Sequence, residues 1–285
     1  MIGIVGGSGI YEIDGLRDAK WRGVKSPFGS PSDEILVGRI GETEIAFLPR
    51  HGRGHRIPPS EIDYRANIDA LKRVGVTDLI SVGACGSLRE HLSPGTFVLV
   101  DQFIDRTFAR ERTFFSSGLV AHVSMAQPVC ARLGDLLEAA ATELGIPIER
   151  GGVYLAMEGP QFSSRAESEL YRSWGADVIG MTNMPEAKLA REAEICYAGV
   201  SMVTDFDCWH DDHDAVEVID ILEVLTSNAD LGRNLVKKVS PKLASRPTPC
   251  PNGCDRALEG AIITASEARD PAVAKRLDAV AGRVL

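Results

Sequence analysis

The sequence has 285 residues, and 31 Lys and Arg against 40 Asp and Glu leave a formal net charge of −9. With 44% hydrophobic, 25% charged and 6% aromatic residues, the composition is that of a globular protein and excludes a disordered or fibrous one. The acidic balance argues against a nucleic-acid partner, no apolar run reaches the ~18 residues of a membrane span, and six cysteines are too few for a disulfide scaffold.

At the N-terminus, the apolar run lacks the basic stretch and small-residue cleavage site of a signal peptide. We therefore expect no leader and a cytoplasmic location. Further along, short Val- and Ile-rich runs alternate with segments of helical periodicity. The runs predict strands of a sheet buried on both faces, at residues 1–5, 35–40, 44–48, 78–82, 96–101, 153–157, 177–181 and 196–203.

Helices are predicted between these strands by apolar residues at i, i+4 and i+7 and by capping signals. They fall around residues 64–74 and 129–144, after a Ser164–Glu167 capping box, from Pro185, over 215–239 and after Asp270–Pro271. Strands that alternate with helices predict an α/β fold. The expected architecture is a single domain with a central, mostly parallel mixed β-sheet flanked by helices.

One shift in composition occurs near the C-terminus, where four prolines (241, 247, 249 and 251) lie close together. Because proline lacks a backbone N–H, this cluster should break any helix or strand. We therefore divide the chain into a main domain, residues 1–241, and an appendage, residues 242–285, made of a proline-rich linker and a terminal helix.

The first candidate site is the glycine-rich turn Gly6-Gly7-Ser8-Gly9, which follows the first strand. Glycines let backbone N–H groups approach an anion, and the Ser8 hydroxyl adds a donor. A dinucleotide fingerprint does not fit, because Glu12 occupies its third glycine position. A phosphate-binding turn is favoured over a tight turn without a ligand.

The second candidate site is the basic run RHGRGHR at residues 50–56, directly after a strand. Ligands in open α/β sheets bind beyond the carboxyl ends of strands, and the planar arginine side chain matches phosphate geometry. The alternative is a solvated basic loop. We interpret the run as an oxyanion site.

The third candidate site is the acidic pair Asp205 and Asp207 at the end of the last apolar run. Residues i and i+2 of an extended segment face the same way, so the two carboxylates are expected to lie together. Burial and a neighbouring carboxylate raise the pKa of one of them, which makes a proton donor usable at neutral pH. Capping of the next turn is the simpler explanation.

Two further clusters resemble metal sites. His210-Asp211-Asp212-His213-Asp214 offers ligand-type side chains, but acidic residues are also expected at the start of a helix, and no further ligands complete the set. Cys250 and Cys254 provide only two thiols of the four that a structural zinc site needs. We therefore predict no metal, and free thiols or a reversible disulfide at this pair.

Together with EGPQFSSRAE at residues 158–167, MTNMPE at 181–186 and VGACGSL at 82–88, these motifs resemble the trimeric purine nucleoside phosphorylase superfamily. Within it, they are most similar to the branch that cleaves 5′-methylthioadenosine. The match runs in order from residue 2 to about 241.

The resemblance implies a role for each matching position. The residues it assigns to phosphate are Ser8, Arg50, His51, Ala84 and Thr182, and Ala84 also lines the nucleoside pocket. Those it assigns to the nucleoside are Phe162, Ser163, Met181, the 5′-group contacts Val218, Ile221 and Leu222, and His122 from a neighbouring subunit. Asp205 and Asp207 would recognise and protonate the purine, while Gly83 stands where relatives usually carry a serine or threonine.

The implied function is phosphorolysis of methylthioadenosine to adenine and 5-methylthioribose 1-phosphate, with phosphate as co-substrate, no cofactor and no metal. The implied assembly is a homotrimer or a dimer of trimers. A phosphorylase for 6-oxopurine nucleosides is the nearest alternative, and relatives of that kind recognise the base with an asparagine and a glutamate. Here Asp205 and Ser163 favour a 6-aminopurine. A nucleoside-binding protein without catalytic activity is a more distant alternative.

Overall fold

The computed structural model describes residues 1–7, 15–210 and 218–285, the side chains of 218–223 and 225 excepted. The described residues form one mixed sheet of eleven strands. These are β1 (Ile2–Gly6), β2 (Arg17–Arg22), β3 (Ile35–Ile40), β4 (Thr43–Pro49), β5 (Asp78–Ser87), β6 (Phe97–Val100), β7 (Gln102–Asp105), β8 (Ile148–Arg150), β9 (Val153–Ala156), β10 (Val178–Gly180) and β11 (Cys196–Asp205).

Seven α-helices lie in the described part of the chain. They are α1 (Tyr64–Arg73), α2 (Ala131–Glu143), α3 (Arg165–Ser173), α4 (Asn183–Glu192), α5 (Val218–Leu243), α6 (Pro271–Arg276) and α7 (Asp278–Ala281). None of the described helices has the length and apolar character needed to cross a membrane.

The sheet has the order β2-β3-β4-β1-β5-β10-β9-β7, and β11 pairs with both β5 and β6. Strands β1, β4, β5 and β11 are parallel neighbours, so their carboxyl ends share one edge of the sheet. The second half of β5 continues past this edge and pairs with β10 in antiparallel orientation. Sites in such sheets lie at the carboxyl ends of the strands.

Apolar side chains from the sheet and its helices form two large cores. One contains Ile68 and Leu71 of α1 together with Leu189 of α4. The other contains Leu137 of α2 and Val236 of α5. The fold is therefore the predicted α/β domain, a large mixed sheet with helices on both faces.

Several local predictions were confirmed. Ser164 and Glu167 form both hydrogen bonds of a capping box at the start of α3, and the Asp270 carboxylate accepts from the first turn of α6. Strand β2 was missed because its six residues are all exposed, so it lacks an apolar alternation. Strand β8 was also missed.

The C-terminal segment differs from the prediction in two ways. Helix α5 continues through Pro241 to Leu243, so the proline cluster does not break it where expected. The terminal helix is divided into α6 and α7, and Leu258, Leu277 and Ala281 are buried in the same core as α1. The appendage is therefore packed into the main body, and the division at residue 241 stays a prediction.

Candidate active site

A cavity of about 510 Å³ opens at the carboxyl edge of β1, β4, β5 and β11. Most of the predicted site residues line it, although they come from five separate segments of the chain. They are Arg50, His51, Ala84, Phe162, Met181, Thr182, Asp205 and Asp207.

Arg50 follows β4 and is fully buried at the floor of this cavity. Its Nε donates to Glu186 Oε2 at 2.9 Å, and its Nη2 donates to Ser81 Oγ at 2.7 Å. The Glu186 carboxylate also accepts from the Tyr197 hydroxyl at 2.9 Å. This buried network holds the guanidinium in one orientation.

In this network Nε and Nη2 of Arg50 both donate to Glu186, so these two nitrogen atoms already have a partner. Nη1 donates to Val82 O at 3.1 Å and has a second N–H. A Cβ atom built at Gly83 would lie 3.5 Å from this Nη1 and 3.8 Å from Thr182 Oγ1. Arg50 and Thr182 therefore flank one small space beside β5.

His51 lies beside this space as a neutral imidazole. Burial, followed by the charge of Arg50, lowers the pKa of His51 to about 4. Nδ1 lies 2.9 Å from the Ile57 carbonyl, which can only accept, so Nδ1 carries the proton. Nε2 is then an acceptor, and it lies near Gly7 at the mouth of the turn. This nitrogen can bind a hydroxyl hydrogen of a hydrogen phosphate ion.

The predicted acidic pair also lines the cavity. Asp205 Oδ2 accepts from the Thr204 hydroxyl at 2.7 Å, and Oδ1 accepts from the Asp207 N–H at 2.8 Å. Each oxygen keeps a second lone pair for a ligand. Burial raises the pKa of the Asp205 carboxyl.

Asp207 is more strongly perturbed than its neighbour. Burial, with the nearby Asp205 carboxylate, raises the pKa of Asp207 to about 6. Its backbone has a left-handed φ of 52°, and its Oδ2 is buried with no hydrogen-bond partner among the described residues. Both carboxyl groups of the pair are therefore candidates for carrying a proton.

Two glycines on β5 indicate how far the Arg50 side of the cavity lies from the acidic pair. Gly83 lies against Arg50 and Thr182, and a Cβ atom at Gly86 would lie 2.9 Å from Asp205 Oδ1. Three positions on an extended strand span about 10 Å. The corner formed by Arg50 and Thr182 and the carboxyl pair therefore line one cavity at two separate points of β5.

Arg110 is a supporting residue that sequence reasoning missed. Its Nη1 donates to the carbonyl oxygens of Met181 at 2.6 Å and Met184 at 2.8 Å, and its Nε donates to Glu158 at 3.0 Å. These bonds fix the backbone that carries Met181 and Thr182 into the cavity. Arg110 lies far from every motif, so only tertiary structure could reveal this role.

The other predicted residues differ in where they lie. Phe162 is at the cavity and keeps 48% of its surface exposed, whereas Ser163 is buried and its hydroxyl donates to Met157 Sδ at 3.7 Å. His122 is exposed and lines a second cavity, so it does not reach the site of its own chain. Ser8 and the side chains predicted to hold the 5′-group, Val218, Ile221 and Leu222, lie outside the described residues.

Comparison with known proteins extends this description. Residues 1–240 match the family model of the phosphorylase superfamily. The chain is 63% identical over 285 residues to the S-methyl-5′-thioadenosine phosphorylase of Rhodospirillum rubrum, covering all of this chain and 97% of the relative. The enzyme of the same name from Bradyrhizobium diazoefficiens is also 63% identical, with coverage of 100% and 98%.

Solved structures agree with these relatives. A methylthioadenosine phosphorylase from an antarctic soil metagenomic library has a TM-score of 0.92 and 46% identity, and the alignment covers 98% of both chains. The methylthioadenosine phosphorylase of Schistosoma mansoni in complex with adenine has a TM-score of 0.87 and 36% identity, covering 91% of this chain and 98% of that one.

Proposed function

Because this chain belongs to the phosphorylase superfamily, we propose that it catalyses the phosphorolysis of S-methyl-5′-thioadenosine to adenine and 5-methylthioribose 1-phosphate. The observation that carries this proposal is the single cavity that joins Arg50 and His51 to Asp205 and Asp207. The names of relatives that span the whole chain support the choice of substrate.

The reaction is a displacement at the anomeric carbon, in which phosphate forms the new C–O bond as the C–N bond to adenine breaks. Positive charge accumulates on the sugar, as in glycoside cleavage, and the phosphate anion stabilises it. Arg50 Nη1, Thr182 and Ser8 would donate to the phosphate oxygens, with Ala84 beside them. Neutral His51 would accept the phosphate hydroxyl hydrogen. The protein thus supplies mainly positioning.

The carboxyl pair would serve the leaving base. Adenine departs more easily when N7 receives a proton, and the raised pKa values of Asp205 and Asp207 keep a proton available close to neutral pH. A free carboxylate oxygen accepts from the 6-amino group. A 6-oxo base offers no hydrogen there, so the pair favours adenine over hypoxanthine.

The nucleoside would lie between these two ends. We assign the ribose to the Met181 backbone, the exposed ring of Phe162 to the face of the base and Ser163 to the wall behind it. The 5′-methylthio group would lie against Val218, Ile221 and Leu222. The catalytic unit would be residues 1–241, and no cofactor or metal takes part in this chemistry.

We also propose a homo-oligomeric assembly, a trimer or a dimer of trimers, in a cytoplasmic location. Two features support an oligomer. His122 is exposed and lines a second cavity instead of the site of its own chain, and Phe162, at the mouth of the site, keeps 48% of its surface exposed. A neighbouring subunit that contributes His122 would close this mouth.

The test is a comparison of methylthioadenosine, adenosine and inosine, each with and without phosphate, followed by chromatography of the released base. We expect phosphate-dependent release of adenine from methylthioadenosine with the highest kcat/KM of the three. A higher kcat/KM for inosine would favour the 6-oxopurine alternative. Binding of methylthioadenosine without release of base would indicate a binding protein.

A further inference from the structure

Four of the six cysteines converge at a point away from the proposed active site. Cys130 precedes α2, Cys196 begins β11, and Cys250 and Cys254 follow α5. All four are buried, and their sulfur atoms lie within 4.8 Å of one another. The sequence interpretation counted only the last two, because Cys130 and Cys196 are distant in the chain.

The spacing of the sulfur atoms agrees with tetrahedral coordination of one metal ion. Zinc–sulfur bonds of about 2.3 Å in a tetrahedron place the sulfur atoms about 3.8 Å apart. Cys130 Sγ lies 3.8 Å from Cys250 Sγ, and Cys196 Sγ lies 3.5 Å from the same atom. Without a metal, four thiols would gain little from this close approach, because a thiol is a weak hydrogen-bond donor and acceptor.

The loop between the last two cysteines is shaped to present both sulfurs on one side. Gly253 has a left-handed φ of 65°, which favours glycine, and its N–H donates to the Cys250 carbonyl at 2.9 Å. The Cys250 N–H donates to the Asp255 carboxylate at 2.9 Å. The turn is therefore fixed by the backbone before any ion binds.

From this cluster we propose a structural zinc site in which Cys130, Cys196, Cys250 and Cys254 are the four ligands. Binding exchanges four S–H bonds for four Zn–S bonds and releases four protons to water. The site closes the coordination sphere with protein atoms alone, so it is structural and not catalytic.

The surroundings suit a thiolate cluster with net negative charge. Arg246 Nη2 donates to Cys196 Sγ at 3.5 Å, and Arg132 forms a salt bridge with Asp78 beside the same cysteine. Asp78 also pairs with Arg246 at 3.2 Å. Hydrogen bonds from such outer residues hold ligands in place and stabilise their charge.

The zinc site would fasten the C-terminal segment to the sheet. Beyond the cysteines, this segment binds the loop that carries His122, because the His122 N–H donates to the Ala261 carbonyl at 2.9 Å and the Ile263 N–H donates to the Val120 carbonyl at 3.0 Å. Metal binding would thus stabilise both the tail and the loop expected to face a neighbouring subunit.

The test is the metal content of the full chain, purified under reducing conditions and dialysed against Zn²⁺ and then against metal-free buffer. Elemental mass spectrometry should find one zinc per chain. Cys250→Ser and Cys196→Ser should lose that zinc and unfold at a lower temperature. Cys208→Ser is the matched control, because Cys208 lies outside the cluster and should keep the metal.

A second measurement tests the proposal on the wild-type protein, so it does not depend on the folding of a cysteine variant. Cobalt substituted for zinc in the wild-type protein should give the intense charge-transfer absorption of a tetrahedral thiolate complex, and thiol titration after denaturation with a chelator should find six thiols. The proposal would be overturned if the wild-type protein bound neither zinc nor cobalt. A count of fewer than six thiols, which would indicate disulfides, would also overturn it.

Discussion

At the level of single residues, Arg50 illustrates how a buried charge is prepared for a ligand. Glu186 holds two of its nitrogen atoms and leaves Nη1 toward Gly83 and Thr182. Removing Arg50 alone would leave the buried Glu186 carboxylate unpaired, which costs about 3–5 kcal/mol. A single substitution therefore tests folding as much as phosphate binding.

We predict that Arg50→Met combined with Glu186→Gln, which removes both charges, folds and binds phosphate weakly. Loss of a charged hydrogen bond costs about 1.5–3 kcal/mol, so the KM for phosphate should rise about 10- to 100-fold. The KM for methylthioadenosine should change little. Steady-state kinetics with each substrate varied in turn measures this, and equal rises in both constants would show that the pair is only structural.

The carboxyl pair is tested by replacing each acid with its amide. We expect Asp205→Asn to lower kcat/KM for methylthioadenosine by at least ~10², as for a lost general acid. The decrease in kcat/KM for inosine should be smaller, because an amide NH₂ can donate to a 6-oxo group. Asp207→Asn should lower kcat/KM for both substrates by similar factors. If neither variant changes the ratio between the two substrates, base discrimination resides elsewhere.

Asp207 should also affect stability as a function of pH. Because burial raises its pKa from 3.8 to about 6 in the folded protein, the folded state holds a proton that the unfolded state releases between these values. Stability should therefore fall as pH rises through this window, by on the order of 3 kcal/mol in all. Asp207→Asn should be about as stable as wild type near pH 4 and more stable at pH 7. Urea unfolding at both pH values measures this, and parallel pH profiles would contradict it.

At the level of elements, strand β5 organises the site through its two glycines. A Cβ atom at Gly83 would lie 3.5 Å from Arg50 and 3.8 Å from Thr182, so a side chain has room there. A Cβ atom at Gly86 would lie only 2.9 Å from Asp205 Oδ1, so a side chain has no room there. The same residue type thus has opposite tolerance at two positions of one strand.

We predict that Gly83→Ser lowers the KM for phosphate about 5-fold, since one added hydrogen bond contributes about 1 kcal/mol. Gly83→Ala is its control, because it adds the Cβ atom without the hydroxyl. Gly86→Ala should instead reduce kcat, because its Cβ would displace the Asp205 carboxylate. Kinetics of the three variants checks this; a serine variant that behaves like the alanine variant would exclude a hydroxyl–phosphate contact.

At the level of the whole molecule, the role proposed for His122 would make each active site depend on assembly of the subunits. We predict that Asp205→Asn and His122→Ala proteins, each weakly active alone, regain activity when unfolded together and refolded as mixed oligomers. A mixed oligomer contains sites with a native Asp205 from one subunit and a native His122 from the next. Refolding each variant separately before mixing is the control, and an absence of recovery in both cases would show that each chain works by itself.

The fold class and eight of the residues that line the cavity could be predicted from the sequence. Apolar alternation and capping depend on neighbouring residues, so the α/β sheet and the Ser164 cap were predictable. Arg50 directly follows β4 and Asp205 ends β11, and both strands belong to the parallel set with β1 and β5, so the convergence of these two motifs followed from the predicted parallel sheet. Thr182 follows β10, which pairs with the end of β5 in antiparallel orientation, so its approach to Arg50 did not.

Other contacts between distant residues could not be predicted, because no local pattern marks them. The Glu186 clamp on Arg50, the support of Met181 by Arg110 and the grouping of Cys130 with Cys250 join residues 71 to 136 positions apart. The neutral state of His51 and the raised pKa of Asp207 also depend on the tertiary structure. Burial shifts both pKa values, and burial is a property of the packed molecule and not of the local sequence.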